Sequence, residues 1–482
     1  MNFSLTIEKS ASIRSALLKI EENAVGIIFV TDNSKLIGSF SDGDGRRAFV
    51  NGATLEDSVH LYMNSNPISA EVGIDSESLN ELFSGGVAVI PLINEDGLIE
   101  QFLTPTSNDY LPLSEPNLGE REFQFVYEAL SSNWISSTGP FVEKFERSFM
   151  EITQLENALS VCNGTQALFL AMYTLGIRPG DEVIVPDLTF GATANAVIQV
   201  GGVPVFCDID RANWCMDPAS LRSAITPRTR AIVPVHLYGY PADMNLIMSI
   251  AEENNLLVIE DCAEALGSKI DGRHVGSFGH AAIFSFFANK TITTGEGGMV
   301  VFKDHENELR GRRIRSHGFD PGDRYSHKEW GSNFRLTSLQ AGIGLGQLER
   351  FDELVKQKIR IADNYNLAFL NLGVEGFEVP PKSTERMKNT YWLYTVLLPS
   401  NVSVNKTIEE LAKEKIESRR VFKPMHEQPA FSSNSSLEVS ASGFINSIEI
   451  SKRGLSLPTS TKLTDSQVAR VAKKLIELVA DK

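Results

Sequence analysis

Short apolar runs and helical stretches alternate along the middle of the chain, and this pattern predicts a sheet with helices on both faces. Apolar runs bounded by polar turns predict buried strands. They lie at Glu182–Val185, Val203–Cys207, Ala231–Val235, Leu256–Ile259, Ala281–Phe287 and Met299–Phe302. Such alternation is typical of a largely parallel sheet in an α/β domain.

The segments around this region indicate where that domain begins and ends. Helical periodicity covers Glu120–Leu130, breaks over Ser131–Pro140, resumes at Phe141 and covers Gln166–Leu175. After about residue 350 the pattern changes to one long helix, Phe351–Leu370, and then to short strands and helices. We therefore predict a large domain at 113–350 and a smaller C-terminal α+β subdomain at 351–482.

The first 104 residues repeat one pattern of helix, apolar strand, polar turn and short strand. The first copy has a helix at Ile13–Glu22 and strands at Gly26–Val30 and Leu36–Phe40; the second has a helix at Asp75–Phe83 and strands at Val87–Leu92 and Leu98–Leu103. This duplication indicates a separate domain at 1–104. Turn-forming residues at Thr104–Asp109 indicate a linker, which we place at 105–112.

The stretch GSFSDGDGRRAF, Gly38–Phe49, resembles the ligand signature of tandem CBS modules. The resemblance implies that Ser41 and Asp44 contact the phosphate and ribose of an adenine nucleotide. Free N–H groups at a helix start, with Arg46 and Arg47 nearby, are compatible with phosphate binding. The second repeat lacks the signature, so at most one nucleotide site is expected. A structural or dimerising module that binds no ligand fits the sequence equally well.

The composition is that of a globular protein of more than one domain. The chain has 482 residues, of which 42% are hydrophobic and 22% charged. A net charge of −16 argues against nucleic-acid and anionic membrane partners. Without a membrane-length apolar stretch or a secretory signal, a cytoplasmic location is expected. The four cysteines (Cys162, Cys207, Cys215 and Cys262) lack metal-site spacing, so no metal is predicted.

A lysine and an acid follow two of the predicted strands. Leu256–Ile259 leads into Glu260 and Asp261, and Ala281–Phe287 is followed by Lys290. Ligands of parallel sheets bind where strands end. A lysine that forms a Schiff base with an aldehyde, and an acid that keeps a pyridine nitrogen protonated, are what pyridoxal phosphate chemistry requires. Taken singly, Lys290 also fits a solvated loop, and Asp261 fits an N-cap for a helix at 263–266.

Other candidate residues fall at the same predicted edge. Gly164 and Thr165 precede a helix whose free N–H groups can bind phosphate, and Phe190 can stack on a planar cofactor. Each also fits an ordinary role, as a helix start or a core aromatic. The further candidates are Glu264, Ser285 and Asn333. Neither a dinucleotide-binding G-x-G-x-x-G nor a phosphate-binding P-loop occurs, which argues against nicotinamide and nucleoside triphosphate enzymes.

Over about residues 110–482 the chain resembles the sugar aminotransferases of the DegT/DnrJ/EryC1/StrS type. The segments that carry the resemblance are FFANKTITTGEGGM, RSHGFDP with RYSH, GSNFRLTSLQAGIGLGQLE, YWLYTV and IESRRVFKPMHEQPAF. Within this family they look most like the GDP-perosamine synthases. The resemblance implies the fold type I architecture of pyridoxal-phosphate-dependent transferases, which is aspartate aminotransferase-like.

The activity implied by the resemblance is that of a transaminase. Its pyridoxal 5'-phosphate cofactor carries an amino group from L-glutamate to C4 of a nucleotide-linked keto-deoxy sugar, for O-antigen and other surface polysaccharide (lipopolysaccharide) biosynthesis. The resemblance also implies a homodimer or a higher homo-oligomer. The nucleotide (GDP, UDP or dTDP), the sugar and the choice between C3 and C4 stay open.

The resemblance also assigns roles to single residues. Lys290 holds the cofactor and moves a proton, and Asp261 pairs with the pyridinium nitrogen. Asn333 reaches the cofactor phosphate of the neighbouring subunit. The other cofactor contacts are Gly164, Thr165, Phe190, Glu264 and Ser285. The implied sugar-nucleotide contacts are His317, Tyr325, His327, Arg419 and His426.

Two positions depart from the pattern of many family members. Glu264 stands where glutamine is common, and a carboxylate beside a partly anionic ring oxygen is repelled unless it is protonated or turned away. Ala288 replaces a glycine before Asn289 and Lys290.

Two alternative functions are weighed against the aminotransferase. One is a keto-sugar 3-dehydratase, but in those relatives histidine replaces the lysine at position 290. The other is a catalytically silent regulator that senses adenylates.

Overall fold

In the computed structural model the chain forms two compact units, residues 1–110 and 111–482. The structure describes residues 5–480 except 24, 75–77, 79–81, 84–86, 88, 105–109, 321, 371 and 433–442. Most of the predicted helix Asp75–Phe83 and most of the predicted linker therefore lie outside the described residues. Leu111 already belongs to the second unit, where its N–H donates to the carbonyl of Lys415 and its carbonyl accepts from Glu417 N.

The first unit contains two three-stranded sheets with the same strand directions. In each sheet the first strand is parallel to the second, and the second is antiparallel to the third. The strands are β1 Thr6–Glu8, β2 Ile27–Asp32 and β3 Lys35–Ser41, and then β4 Ala70–Glu71, β5 Ile90–Ile93 and β6 Ile99–Leu103; helices lie at Ile13–Asn23 and Asp42–Val50. The described strands thus repeat one topology.

A seven-stranded sheet forms the centre of the second unit. Its spatial order is β7 Ala158–Val161, β15 Gly298–Phe302, β14 Ala281–Ser285, β11 Leu257–Asp261, β10 Thr229–Ile232, β8 Glu182–Pro186 and β9 Val203–Cys207. β15 is antiparallel to both of its neighbours, and the other neighbouring pairs are parallel. The prediction of a largely parallel sheet is confirmed.

Some strand limits differ from the prediction for identifiable reasons. β7 was missed because its four residues, ALSV, form too short an apolar run. β10 ends at Ile232 rather than Val235, and Pro234 has no N–H to extend a ladder. β11 continues to Asp261, since a carboxylate that is hydrogen-bonded can be buried at a strand end.

The two faces of the sheet belong to two separate apolar cores. In β14, Ala282 and Phe284 pack into one core, and Ala281 and Ile283 pack into the other. Burial on both faces explains why these strands read as continuous apolar runs. The helices up to residue 350 are Glu120–Ser131, Pro140–Thr153, Gly164–Leu175, Ala192–Gln199, Pro218–Ala224, Met244–Glu253, His305–Arg315 and Ser338–Glu349.

The remainder of the second unit adds a smaller antiparallel sheet with a core of its own. This sheet has the order β19 Tyr394–Leu397, β21 Gly454–Leu457 and β20 Arg419–Arg420. The accompanying helices are Phe351–Phe369, Val404–Lys413, Pro429–Ser432, Ile445–Arg453 and Asp465–Ala480.

Two further small sheets are formed by short strands. One contains β12 Lys269–Ile270, β13 Arg273–His274 and β18 Met387–Lys388, and in the other β16 Phe319–Asp320 pairs with β17 Asp323–His327. Among the described residues, no helix has the length and apolar character needed to span a membrane.

Candidate functional site

Lys290 lies in a turn after β14, where its N–H donates to the carbonyl of Phe287. Its side chain is 13% exposed, and Nζ lies 3.9 Å from Oε1 of Glu264. Nζ also lies 3.5 Å from the ring centroid of Trp392. Burial lowers the pKa of Lys290, and the charges of Glu264 and Asp261 oppose that change. The structure therefore brings the predicted lysine and two predicted acids together.

Asp261 is the last residue of β11 and is buried. Its Oδ2 accepts a hydrogen bond of 2.9 Å from Oγ1 of Thr193, and its Oδ1 accepts one of 3.1 Å from the N–H of Ala263. The helix considered at 263–266 is absent, because that segment forms turns. Burial raises the pKa of Asp261, while these hydrogen bonds and the Lys290 charge favour the ionised form.

Glu264 is held from one side by the backbone of Tyr238, whose N–H donates to Oε2 at 2.8 Å. Burial raises the pKa of Glu264 to about 7, against the opposing charge of Lys290. A substantial fraction of the carboxyl group is therefore protonated near neutral pH. Protonation removes part of the repulsion that is expected between a carboxylate at position 264 and a partly anionic ring oxygen.

Glu260 faces the other way from Asp261 and forms a separate network. It accepts hydrogen bonds from three backbone N–H groups of the 276–279 turn and pairs with Nε2 of His236 at 3.2 Å. Burial would raise the pKa of Glu260, but His236 and these N–H groups outweigh it and lower the pKa. Cys262 completes a group whose donor atoms lie within 4.8 Å of one another. Because the oxygens of Glu260 and Nδ1 of His236 already accept hydrogen bonds, the group serves as structure rather than as a metal site.

Gly164 and Thr165 form the first turn of the helix Gly164–Leu175, which starts two residues earlier than predicted. A Cβ on Gly164 would lie 3.0 Å from Cβ of Ser285, so this helix start packs tightly against the end of β14. Oγ of Ser285 accepts from the N–H of Phe287 at 3.4 Å. Helix N–H groups and a hydroxyl thus meet in the segment that leads to Lys290, where they can hold a phosphate.

A row of aromatic rings runs from Phe190 to the lysine. Phe190 is 61% exposed, and its ring centroid lies 5.8 Å from that of Phe422. Phe422 stacks on Tyr238 at 5.4 Å, and Tyr238 stacks on Trp392 at 6.0 Å. The sequence did not indicate Phe422, Tyr238 or Trp392 as site residues, because a single aromatic in an apolar segment is typical of a core residue.

His317, Tyr325 and His327 lie in and beside the β16–β17 hairpin. Nδ1 of His327 donates to the carbonyl of His317 at 2.7 Å, and Tyr325 is 86% exposed. Asn333 is also exposed, and its Oδ1 accepts from Nε of Arg335. In the described residues these side chains contact their own loop and are not brought against Lys290 or Asp261.

His426 and Arg419 differ in how firmly they are held. Nδ1 of His426 donates to Oδ2 of the buried Asp187 at 2.8 Å, and the N–H of His426 donates to Oδ1 at 2.9 Å. Burial raises the pKa of Asp187, and the contacts with His426 oppose it. Arg419 is mostly exposed and pairs with Glu417 at 2.9 Å. The sequence analysis did not predict a role for Asp187, which directly follows β8. Its partner His426 is distant in the sequence, and an acid at a strand end does not by itself indicate a site.

Ser41 and Asp44 of the first unit form a capping box at the start of the helix Asp42–Val50. Oγ of Ser41 donates to Oδ2 of Asp44 at 2.7 Å, and that carboxylate also binds Arg47. A neighbouring cavity of about 620 Å³ is lined by Leu17, Ile20, Glu21, Val25, Gly26 and Asp42.

Comparison with known proteins adds independent information. Residues 116–476 match the model of the DegT/DnrJ/EryC1/StrS aminotransferase family, and the match does not extend into the first unit. The chain is 40% identical over 373 residues to the GDP-perosamine synthases of Escherichia coli O157:H7 and Caulobacter vibrioides. These alignments cover 77% of this chain and 100% and 98% of the two relatives.

Solved structures show the same architecture. The sugar aminotransferase Spr1654 from Streptococcus pneumoniae in its PLP form is 28% identical, with a TM-score of 0.72. This superposition covers 77% of this chain and 99% of that protein. The aminotransferase TlmJ from Streptoalloteichus hindustanus is 30% identical with a TM-score of 0.72, over 77% and 99% of the two chains.

Proposed function

Because the chain belongs to the DegT/DnrJ/EryC1/StrS aminotransferase family, we propose that it aminates a nucleotide-linked keto sugar at C4, with L-glutamate as the donor. The protein is a pyridoxal-phosphate-dependent aminotransferase with the fold of such sugar aminotransferases. The 40% identity to two GDP-perosamine synthases supports GDP-4-keto-6-deoxymannose as the substrate. O-antigen synthesis is the pathway that we assign to the product, and the cytoplasmic location stays a prediction.

The observation that carries the proposal is the buried cluster of Lys290, Asp261 and Glu264. An amine and two acids share it, and each acid is hydrogen-bonded in a fixed orientation. The tight approach of Gly164 to Ser285 adds a place for a phosphate beside the turn that carries the lysine. These donors and acceptors fit pyridoxal phosphate, which needs an amine, an acid and a phosphate site.

Each site residue has a distinct role in the proposed reaction. When bound, pyridoxal phosphate supplies a ring that accepts electrons from the carbon that loses a proton. Burial lowers the pKa of Lys290, so its Nζ is more readily the neutral base that takes and returns that proton. Asp261 holds a proton on the ring nitrogen, and Thr193 keeps the carboxylate oriented. Gly164, Thr165 and Ser285 bind the phosphate, and Phe190 covers the ring.

Glu264 contacts the ring oxygen in this proposal. Its raised pKa, about 7, allows it to carry a proton at neutral pH, so that it can donate a hydrogen bond rather than repel the oxygen. The N–H of Tyr238 binds Oε2 and leaves Oε1 on the side of Lys290. A dehydratase is disfavoured, because position 290 is lysine rather than histidine.

The sugar nucleotide is assigned to His317, Tyr325, His327, Arg419 and His426. The support is strongest for His426, because Asp187 fixes its Nδ1 as a donor and leaves Nε2 available for a ligand. Arg419 already pairs with Glu417, so diphosphate would have to compete for it.

The proposed active form is a homodimer in which Asn333 binds the cofactor phosphate of the other subunit. The helix Glu120–Ser131 and the loop after it expose Phe123, Tyr127, Leu130 and Trp134 at spacings of three and four residues. Such a face on one helix suits a second copy of the chain. Light scattering of Phe123→Glu combined with Tyr127→Glu tests this: we expect monomers, whereas an unchanged dimer would rule out this face.

For the first unit we propose a tandem CBS module with one adenylate site at Ser41 and Asp44. The repeated sheet topology and the adjoining cavity support this assignment. The capping box already occupies both side chains, so a ribose would have to replace the bond between Ser41 and Asp44. Calorimetric titration with AMP and ATP tests the proposal. Binding that Asp44→Ala abolishes is expected, and no binding would leave the module structural.

A substrate panel tests the proposed activity. GDP-, UDP- and dTDP-linked keto sugars are each incubated with enzyme, pyridoxal phosphate and L-glutamate. NMR of the product then places the new amine at C3 or C4. We expect the GDP sugar to be aminated at C4 with stoichiometric formation of 2-oxoglutarate. Amination of another nucleotide sugar, or at C3, would overturn the substrate assignment.

A further inference from the structure

Two side chains hold the turn that carries Lys290 through the backbone carbonyl of Asn289. This oxygen accepts one hydrogen bond from the indole Nε1 of Trp392 at 2.7 Å and another from Oγ of Ser114 at 3.1 Å. The ring of the same tryptophan lies 3.5 Å from Nζ of Lys290. Trp392 therefore contacts both the backbone beside the lysine and its reactive nitrogen.

Trp392 is itself held through its backbone carbonyl and through its ring face. Its carbonyl accepts from Nζ of Lys358 at 3.0 Å, and the same Nζ donates to the carbonyl of Thr459 at 2.6 Å. Lys358 is buried, so this bond is shielded from water. On its face, Trp392 stacks on Tyr238 with an interplanar angle of 11°, and the N–H of Tyr238 binds Glu264.

We propose that Trp392 is a positioning residue for Lys290, acting through its indole N–H on the Asn289 carbonyl and through its ring face on Nζ. The inference rests on the proposed role of Lys290 and goes beyond it. An aromatic face attracts an ammonium group, which opposes the effect of burial. The N–H bond fixes the direction from which the side chain extends. Together they set how fast the amine reaches the cofactor aldehyde.

Three substitutions separate these contributions. Trp392→Phe keeps a ring face and removes the N–H donor. Trp392→Leu removes both. Ser114→Ala removes the second donor to Asn289 and leaves the ring in place. Trp330→Leu is the matched control, because this half-exposed tryptophan contacts Phe169, Tyr173 and Phe334 rather than the lysine.

The readout is the rate at which cofactor-free protein attaches pyridoxal phosphate to Lys290, measured between pH 6 and 10. Each time point is quenched with borohydride and the labelled peptide is quantified by mass spectrometry. The profile gives a limiting rate and an apparent pKa of the amine.

We expect Trp392→Leu to lower the limiting rate about tenfold and the apparent pKa by about 0.5–1 unit. Trp392→Phe should lower the rate and largely keep the pKa, and Ser114→Ala should lower the rate about threefold. The control should match the wild type. If Trp392→Leu does not fold, Trp392→Phe and Ser114→Ala decide the question.

Profiles of Trp392→Phe and Ser114→Ala that superimpose on the wild type would overturn the inference. Absence of label on Lys290 in the wild-type protein would instead overturn the proposed function, so the two failures are distinguishable.

Discussion

Nζ of Lys290 lies 3.9 Å from Oε1 of Glu264, and both side chains are largely buried. Burial lowers the pKa of the lysine and raises that of the glutamate to about 7. The carboxyl of Glu264 therefore gains and loses its proton near neutral pH, next to an amine that burial makes easier to deprotonate. A site that must donate and accept protons at neutral pH benefits from this arrangement.

The first prediction concerns the pH dependence of stability in Glu264→Gln. A carboxyl whose pKa is raised in the folded state binds its proton more tightly there, so stability falls as pH rises from about 4.5 to about 7. Glutamine removes this loss. We expect the variant to gain up to about 3 kcal/mol of stability on the wild type between these limits, because one pKa unit corresponds to about 1.4 kcal/mol.

Urea unfolding at several pH values, followed by tryptophan fluorescence, measures this difference. All four tryptophans lie in the second unit, so the signal reports on that unit. Glu353→Gln, at an exposed glutamate, is the control and should show no such trend. A difference in unfolding free energy between Glu264→Gln and the wild type that stays constant from pH 5 to 7 would contradict the raised pKa of Glu264.

The second prediction concerns the acid opposite the lysine. Asp261→Asn keeps the size of the side chain and removes its charge, so we expect turnover of glutamate to fall by about 10²-fold or more. Thr193→Val removes one hydrogen bond to the charged carboxylate and should cost about tenfold. Formation of 2-oxoglutarate gives the rates. Unchanged turnover in Asp261→Asn would remove Asp261 from the catalytic machinery.

The third prediction concerns the proposed phosphate site. Gly164→Ala places a Cβ 3.0 Å from that of Ser285 and narrows the site, so we expect the Kd for pyridoxal phosphate to rise about tenfold. Ser285→Ala removes a hydroxyl without adding volume and should raise the Kd about fivefold. Gly191→Ala is the control, since its Cβ would meet Asn195 at an ordinary 3.7 Å. Spectroscopic titration measures the Kd of each variant for pyridoxal phosphate. If Gly164→Ala and Ser285→Ala have the same Kd as the wild type, the phosphate binds elsewhere.

The fourth prediction concerns the pair formed by Asp187 and His426. Asp187→Asn removes the charge that orients the imidazole, so we expect a larger rise in KM for the sugar nucleotide than for glutamate. We also expect a loss of about 1–3 kcal/mol in stability. Arg419→Ala breaks an exposed ion pair and should change stability by less than about 1 kcal/mol. Equal KM changes for both substrates would show that the pair has only a structural role.

The sequence was sufficient for features that depend on local pattern. Apolar runs located β9, β14 and β15 to within a few residues, and the rule that ligands bind at strand ends selected Asp261 and Lys290. The family resemblance then gave the pyridoxal-phosphate-dependent transferase fold of the second unit and the cofactor, and both are confirmed. The CBS module of the first unit stays a prediction.

The features that the sequence did not predict arise where segments distant in the chain come into contact. Trp392 follows Lys290 by about a hundred residues, and its pattern, an aromatic in an apolar stretch, is that of a core residue. Asp187 acquires its role only when the segment containing His426 folds onto the end of β8. The raised pKa of Glu264 arises from burial, which sequence spacing does not encode.

The most direct test of the account is where the protein attaches its cofactor. Wild-type protein is incubated with pyridoxal phosphate, reduced with borohydride, digested and analysed by mass spectrometry, beside Lys290→Ala. We expect one stoichiometric label on Lys290 in the wild type and none in the variant. Label on another lysine, such as the buried Lys358, or equal labelling of both proteins, would contradict the assignment of Lys290.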